Sequence, residues 1–293
     1  MAATAATVAT TRARRGNFRI TRVLFYIGVI AMVLFCILPL LWVFDEALKT
    51  QPDVSAIPPT VLPSQISFQS FSGAFTDHPT FAGNIKNSVI ISTIATALSL
   101  LFGASAAYAI ARLRFWGRGS LLTAILGVST FPQIALLGSL YVFFFQHGWI
   151  NTYQAIIIPD VVFTLPLSIW ILVTFFRQLP HELEESAKID GAGIVRTFIT
   201  VVLPLAAPGV FTTAILAFIN AWNDYLFPLS FTTDESVRTI TVGLANFAGG
   251  TSFLVPWGEI AAGAIVVTVP LIIVVLILQR QIVAGLTAGA VKG

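Results

Sequence analysis

A few polar side chains interrupt a sequence that is otherwise strongly apolar. Asn220, Asn223 and Asp224 are spaced i, i+3 and i+4, which on a helix places them on one face. Because an unpaired amide facing lipid is costly, this face must meet a neighbouring helix or a watery pathway. Asp160 is the other acid within an apolar stretch, and both acids are expected near the outer ends of their helices, where water reaches them. The four residues are candidate contacts for a polar solute. The alternative for the face at 220–224 is interhelical hydrogen bonding, and the alternative for the two acids is a position at the outer rim.

A second polar segment, residues 177–204, has the pattern of two short helices joined by a glycine elbow. Three glutamates near its start complement the positive end of a helix dipole, and Glu184 is spaced for an ion pair with Lys188. Gly191 predicts the end of the first helix, because a glycine just past a helix adopts a positive φ without strain. A second short helix is expected from Ile194. On these residues alone, a solvated connector is an equally good interpretation.

Nucleotide and metal chemistry are not expected on this chain. A phosphate-binding P-loop requires a lysine that follows glycine, and the four lysines here follow Leu, Ile, Ala and Val. The three histidines, His78, His147 and His181, are far apart in the sequence. We therefore expect no cofactor, no metal site and no enzyme activity.

The composition indicates a membrane protein. Apolar residues make up 56% and charged residues only 10% of the 293 residues, whereas soluble domains carry about 25% charged residues. A soluble enzyme and a nucleic-acid binder are therefore excluded. A spanning helix needs about 20 mostly apolar residues, and six stretches qualify, so the expected fold is an all-α membrane protein with six transmembrane helices. The predicted spans are residues 23–44, 89–111, 121–145, 156–176, 206–227 and 260–278, with kinks expected at Pro132, Pro166 and Pro270.

The distribution of basic residues predicts the orientation. With the N-terminus inside, 13 of the 16 Lys and Arg residues fall on the inner side, and only Lys49, Lys86 and Arg238 fall outside. Both termini are therefore predicted to be cytoplasmic. The predicted organisation is an inner tail at 1–22, a transmembrane domain at 23–280, external loops at 45–86 and 228–258, the inner loop at 177–204 and an inner tail at 281–293.

The inner loop carries a spaced motif. Glu185-Ser186-Ala187 is followed by three residues, Gly191, nine residues and Val201-Val-Leu-Pro204. This resembles the EAA loop of ABC importer permeases, which is Glu-Ala-Ala, three residues, Gly, nine residues and Ile-x-Leu-Pro; Ser186 and Val201 are two small departures. The Asp-Gly-Ala continuation, Ala221-Trp-Asn-Asp224 and the C-terminal segment from Gly285 are similar to the carbohydrate-uptake subgroup, in particular its shorter maltose/trehalose-type permease. The resemblance covers most of the chain.

The resemblance implies a division of labour among several chains. Such a permease pairs with a second permease in the inner membrane of a prokaryote and contacts lipid but no nucleic acid. Two ATPase subunits, which hold ATP and magnesium, dock beneath the pair, and an external binding protein delivers the sugar. The inner loop then enters a groove of the ATPase and transmits its closure. The coupling residues carried onto this chain are Glu185, Ser186, Ala187, Asp190, Gly191, Ala192 and Pro204.

The second external loop is expected to contact the binding protein. It contains the flexible pair Gly249 and Gly250, flanked by Phe247 and Phe253. A solvated loop has no need of these aromatic residues, so we expect the segment to reach into the docked protein and help to expel the sugar. The alternative is a loop folded back on the rest of the chain.

The expected solute is a neutral di- or oligosaccharide. No Lys or Arg lies within a predicted span, and an anionic solute usually requires one nearby. An importer of the same architecture for glycerol phosphate or another small polar solute remains an alternative. A stand-alone secondary carrier is a further alternative, although neither an inverted repeat nor an ionisable pair at mid-membrane is evident in the sequence.

Overall fold

The computed structural model describes the backbone of residues 2–249 and 255–290. All regular elements in these residues are helices, which confirms the all-α prediction. The chain forms two compact units by internal contacts. One comprises residues 1–72 with Trp257–Ile265, and the other comprises residues 73–256 with 266–293.

The helices follow one another with short connections. The first group is α1 (Ala2–Leu48), α2 (Gln51–Val54), α3 (Gln69–Thr76) and α4 (Phe81–Arg112). The second group is α5 (Arg118–Ser129), a 3₁₀ helix (Gln133–Leu136), α6 (Leu137–Gln146) and α7 (Tyr153–Gln178). The third group is α8 (Glu182–Ile189), α9 (Ile194–Thr197), a π-helix (Phe198–Val202), α10 (Leu203–Leu205) and α11 (Ala207–Trp222). The last group is α12 (Leu226–Phe231), α13 (Ile240–Ala245), a 3₁₀ helix (Asn246–Gly249) and α14 (Trp257–Ala290).

Four helical segments are long and apolar enough to cross a membrane. They are Arg22–Leu48, Phe81–Arg112, Tyr153–Gln178 and Trp257–Ile277. Two further pairs of helices pass the same test together but are bent, Arg118–Ser129 with Gln133–Gln146 by 85° and Ile194–Leu205 with Ala207–Trp222 by 81°. The described residues therefore provide six spans when each bent pair counts as one.

The third predicted span, residues 121–145, is broken rather than kinked. Helix α5 ends at Ser129 and regular structure resumes at Gln133, after Pro132. Proline has no N–H to continue the helical ladder and disfavours the helical conformation of the residue before it. Helices α7 and α14 continue through Pro166 and Pro270, so neither proline breaks its span.

Helices α4 and α7 form the central packing of the second unit. Ser99, Gly103 and Ala107 recur every four residues along α4 and are buried. A Cβ atom on Gly103 would lie 3.3 Å from the Cβ of Ser168 on α7. Small residues at this spacing let helix backbones approach closely, which stabilises helix pairs in membranes through van der Waals contact.

The external end of α4, as the predicted topology assigns it, is held by side-chain hydrogen bonds. The amide of Asn87 donates to the carbonyl oxygens of Ser236 and Arg238, both at 3.0 Å. The hydroxyl of Ser88 accepts a bond from the N–H of Ile240, the first residue of α13, at 2.8 Å. These contacts fix the segment before α13 against α4.

Candidate functional site

Five polar residues line one open cavity of about 340 Å³ in the second unit. The cavity brings together all four candidate solute contacts, and it adds Gln133, which the sequence analysis missed. Gln133 reaches the cavity because it begins the 3₁₀ helix after the break in the third span. The volume falls within the range of about 300–1,000 Å³ that small-molecule sites occupy. The lining residues are Gln133, Asp160, Phe163, Ile219, Asn220, Asn223, Asp224 and Phe227.

The burial of Asp160 and the position of Asp224 both differ from what the sequence predicts. Asp160 is 2% exposed, so the expected access of water to its side chain is wrong for this chain alone. Helix α11 ends at Trp222, so Asn223 and Asp224 lie just past the helix rather than on one helical face with Asn220. The carboxyl groups of Asp160 and Asp224 nevertheless lie beside each other at the cavity, and Oδ2 of each is buried without a hydrogen-bond partner among the described residues.

The amide side chains of the cavity are tied to neighbouring groups. Asn220 donates to the hydroxyl of Thr164 on α7 at 2.9 Å, which is an interhelical hydrogen bond of the kind the sequence left open. Asn223 donates to the carbonyl oxygen of Ile219 at 2.8 Å. Both side chains are exposed, so each keeps hydrogen-bonding capacity on the side of the cavity.

The inner loop forms the predicted pair of short helices around a glycine. Helix α8 ends at Ile189, and Gly191 has a φ of +81°, the left-handed conformation that favours glycine. The N–H of Ala192 then donates to the carbonyl oxygen of Ala187 at 2.9 Å, which closes the turn. Of the candidate coupling residues, Glu185, Ser186, Asp190, Gly191 and Pro204 are exposed, and Ala187 and Ala192 are half-buried.

Apolar side chains on this loop point away from the chain. Ile189 is 86% exposed and Val195 is 70% exposed, although both flank a well-formed turn. Exposed apolar side chains on both sides of Gly191 are available to another protein.

Glu184 is the residue of the inner loop that sequence analysis misplaced. It was expected to pair with Lys188 on the same helix, but its Oε1 lies 2.9 Å from Nε of Arg112 at the end of α4. The hydroxyl of Tyr108 donates to its other oxygen at 3.1 Å. A second nitrogen of Arg112 donates to the carbonyl oxygen of Leu179 at 2.6 Å. No spacing rule within the loop could indicate a partner in a distant helix.

The loop predicted to be external at 228–258 has a buried aromatic anchor. Phe247 is 3% exposed, stacks on His78 with ring centroids 3.5 Å apart, and packs against Phe81. Its proposed contact with a binding protein is therefore wrong in this conformation, and the folded-back alternative holds for this residue. Gly249 ends the 3₁₀ helix, while Gly250 and Phe253 lie outside the described residues.

The polar loop before α13 is internally hydrogen-bonded. The hydroxyl and backbone N–H of Ser236 both donate to the carboxylate of Asp234. These bonds stabilise the ionised form and lower the pKa of Asp234 below its usual value.

Comparison with known proteins decides the family. The model of the family described as "binding-protein-dependent transport system inner membrane component" matches residues 99–287, which include α5–α13, the cavity and the inner loop. The chain belongs to this family.

Two relatives of this transport family are similar over nearly their whole length. The trehalose/maltose transport system permease protein MalG of Thermococcus litoralis is 42% identical over 274 residues, covering 93% of this chain and 97% of the relative. The trehalose transport system permease protein SugB of Mycobacterium tuberculosis is 45% identical over 259 residues, covering 88% and 93%.

A solved structure supports the fold of this transport-family member. It is a bacterial ABC transporter involved in the import of the acidic polysaccharide alginate, and the match has a TM-score of 0.77. The match covers 90% of this chain and 97% of that chain at 21% sequence identity, so it bears on the fold and not on the solute. The chain is thus an inner-membrane transport component with the helical fold of an importer permease.

Proposed function

We propose that this chain is the permease subunit of an ATP-binding-cassette importer for a neutral di- or oligosaccharide of the trehalose or maltose type. The observation that carries the proposal is the cavity, whose polar lining among the described residues consists of amide and carboxyl groups without a Lys, Arg or His. Such groups hydrogen-bond hydroxyls, whereas a phosphate ester is usually bound by a cationic side chain. The two relatives named for trehalose and maltose support this solute class.

The proposal requires partners, because this chain carries no P-loop. They are a second permease, two ATPase subunits that bind ATP and magnesium, and an external sugar-binding protein. Two features support the ATPase contact: the exposed apolar side chains of Ile189 and Val195 on either side of Gly191, and the ion pair that fixes α8 to α4. In this proposal Glu185, Ser186, Ala187, Asp190, Gly191, Ala192 and Pro204 form the coupling surface.

The external segment from Gly249 to Phe253 is proposed to contact the binding protein, with Phe247 as its internal anchor rather than as a contact. Deletion of residues 249–252 is expected to impair sugar uptake and to leave the permease bound to its ATPase. Unimpaired uptake would contradict this role.

The solute class is tested in the reconstituted complex with its binding protein. Trehalose or maltose is expected to stimulate ATP turnover, and glycerol phosphate is not. The reverse pattern would select the alternative importer. Uptake that needs no ATPase subunit would instead indicate a secondary carrier.

A further inference from the structure

Two carboxyl groups meet at the wall of the cavity without a donor between them. Asp160 lies within α7, and Asp224 lies two residues past the end of α11. Oδ2 of each side chain is buried and receives no hydrogen bond from the described residues. Oδ1 of Asp224 accepts the N–H of Leu226 at 3.1 Å. The contact between the acids therefore leaves two buried acceptor atoms to be explained.

One proton accounts for both atoms. An ionised carboxylate only accepts hydrogen bonds, so two ionised groups in contact would repel each other and leave both oxygens unsatisfied. Pairs of carboxyl groups in proteins relieve this repulsion by binding one proton between them. The protonated acid then donates its O–H to the other acid, and the pair as a whole keeps one negative charge.

No basic group at the cavity offsets a second negative charge. Within its described lining, Asp160 and Asp224 are the only titratable residues. The helices α4, α5, α11 and α12 pack against α7, and α13 contacts Asp224 through the hydroxyl of Thr241. The other titratable residues of these helices, of α7 and of the Asp224 segment do not line the cavity. They are Lys86, Tyr108, Arg112, Arg118, Tyr153, Arg177 and Tyr225.

We propose that Asp160 and Asp224 hold one proton between them, so that the cavity wall carries a single negative charge and selects neutral polyhydroxyl solutes over anionic ones. This inference rests on the proposed sugar importer. A sugar hydroxyl both donates and accepts, so it can bond to the carboxyl and amide groups of the cavity. A phosphate group would meet a like charge in a partly buried site, where repulsion is stronger than in water.

Counting charges by substitution tests the proposal. Equilibrium binding of labelled trehalose and of trehalose 6-phosphate is measured on the purified permease–ATPase complex without binding protein. In Asp160→Asn and in Asp224→Asn, an amide donates to the remaining carboxylate, so the pair keeps one negative charge and one hydrogen bond. Each single variant is expected to keep most of the preference for the neutral sugar. The double variant removes the charge and is expected to lose at least about ten-fold of that preference.

Three results would overturn the proposal. A large loss of preference in both single variants, followed by a further loss in the double variant, would mean that the wild-type pair carries two charges. A wild-type protein without preference would mean that the pair carries none. If the preference for the neutral sugar changes with the sodium or potassium concentration, a cation and not a proton lies between the acids.

Infrared spectroscopy of the same complexes reports the proton without a ligand. One protonated-carboxyl C=O band is expected to disappear in each single variant and to persist in the control Asp234→Asn, whose acid is exposed. Persistence of the band in both single variants would contradict the shared proton even if trehalose binds. Failure of the wild type to bind trehalose while the band behaves as expected would instead count against the sugar importer alone. Co-purification of the ATPase confirms that each variant is assembled.

Discussion

Arg112, the last residue of α4, and Glu184, in the first turn of α8, form a buried ion pair with 2.9 Å between Nε and Oε1. The Arg112 side chain is 1% exposed and the Glu184 side chain is 8% exposed. Tyr108, one turn earlier on α4, donates to the same carboxylate. These contacts tie α8 to α4, which packs along α7, the helix that carries Asp160.

Removal of one member of this pair is expected to destabilise the protein. Glu184→Gln leaves the Arg112 guanidinium buried without a counter-charge, a loss of about 3–5 kcal/mol in similar pairs. Glu182→Gln, an exposed neutral substitution in the same helix, is expected to change stability by less than about 0.5 kcal/mol. Thermal unfolding of the purified complexes measures both. Equal effects of the two substitutions would show that the pair does not hold α8.

The backbone at Gly191 is expected to be essential for coupling. An alanine there adopts the left-handed conformation at a cost of about 1–2 kcal/mol, although no atom lies within 4 Å of the added Cβ. Gly193 has an equally open surrounding but a negative φ of −71°, so Gly193→Ala is the matched control. Gly191→Ala is expected to reduce sugar uptake and sugar-stimulated ATP hydrolysis, and Gly191→Val more so.

Both activities are measured beside co-purification of the ATPase. Normal transport by Gly191→Val with its ATPase bound would identify the inner loop as a plain connector.

The small-residue contact between α4 and α7 is expected to resist enlargement. Gly103→Leu must displace Ser168, which is 3.3 Å from the position of the first added carbon. Overpacking of this kind costs about 1–3 kcal/mol. No atom lies within 4 Å of a Cβ added at Gly127 in α5, so Gly127→Leu serves as the control. The yield of folded permease in detergent compares the two variants, and equal yields would contradict the close approach of α4 and α7.

The predicted topology can be tested at two exposed serines. Ser236 lies in the loop predicted to be external, and Ser186 lies in the inner loop. In a Cys36→Ser background, cysteine introduced at position 236 is expected to react with an impermeant thiol reagent in intact cells. Cysteine at position 186 is expected to react only after the membrane is opened. Labelling of position 186 in intact cells would overturn the assignment.

Local chemistry made several features predictable from the sequence. Long apolar runs must satisfy their own backbone hydrogen bonds in lipid, so composition alone indicated helices and their number. Gly191 was predictable as a helix end because the requirement for a positive φ is a property of one residue. Asn220, Asn223, Asp224 and Asp160 could each be named as candidates from the sequence, since polar groups in apolar helices avoid lipid.

Contacts between distant segments were decided by the tertiary structure. The partner of Glu184 is Arg112 rather than Lys188, because burial against α4 removes the glutamate from the solvent in which a pair within one helix would form. Phe247 is an internal anchor because it packs against His78 and Phe81. These residues are distant from it in the sequence, so no local pattern indicates the contact. Gln133 joins the cavity only because the helix breaks before it. The meeting of Asp160 and Asp224 likewise depends on how α7 packs beside the end of α11, and spacing along a single helix contains no information about that distance.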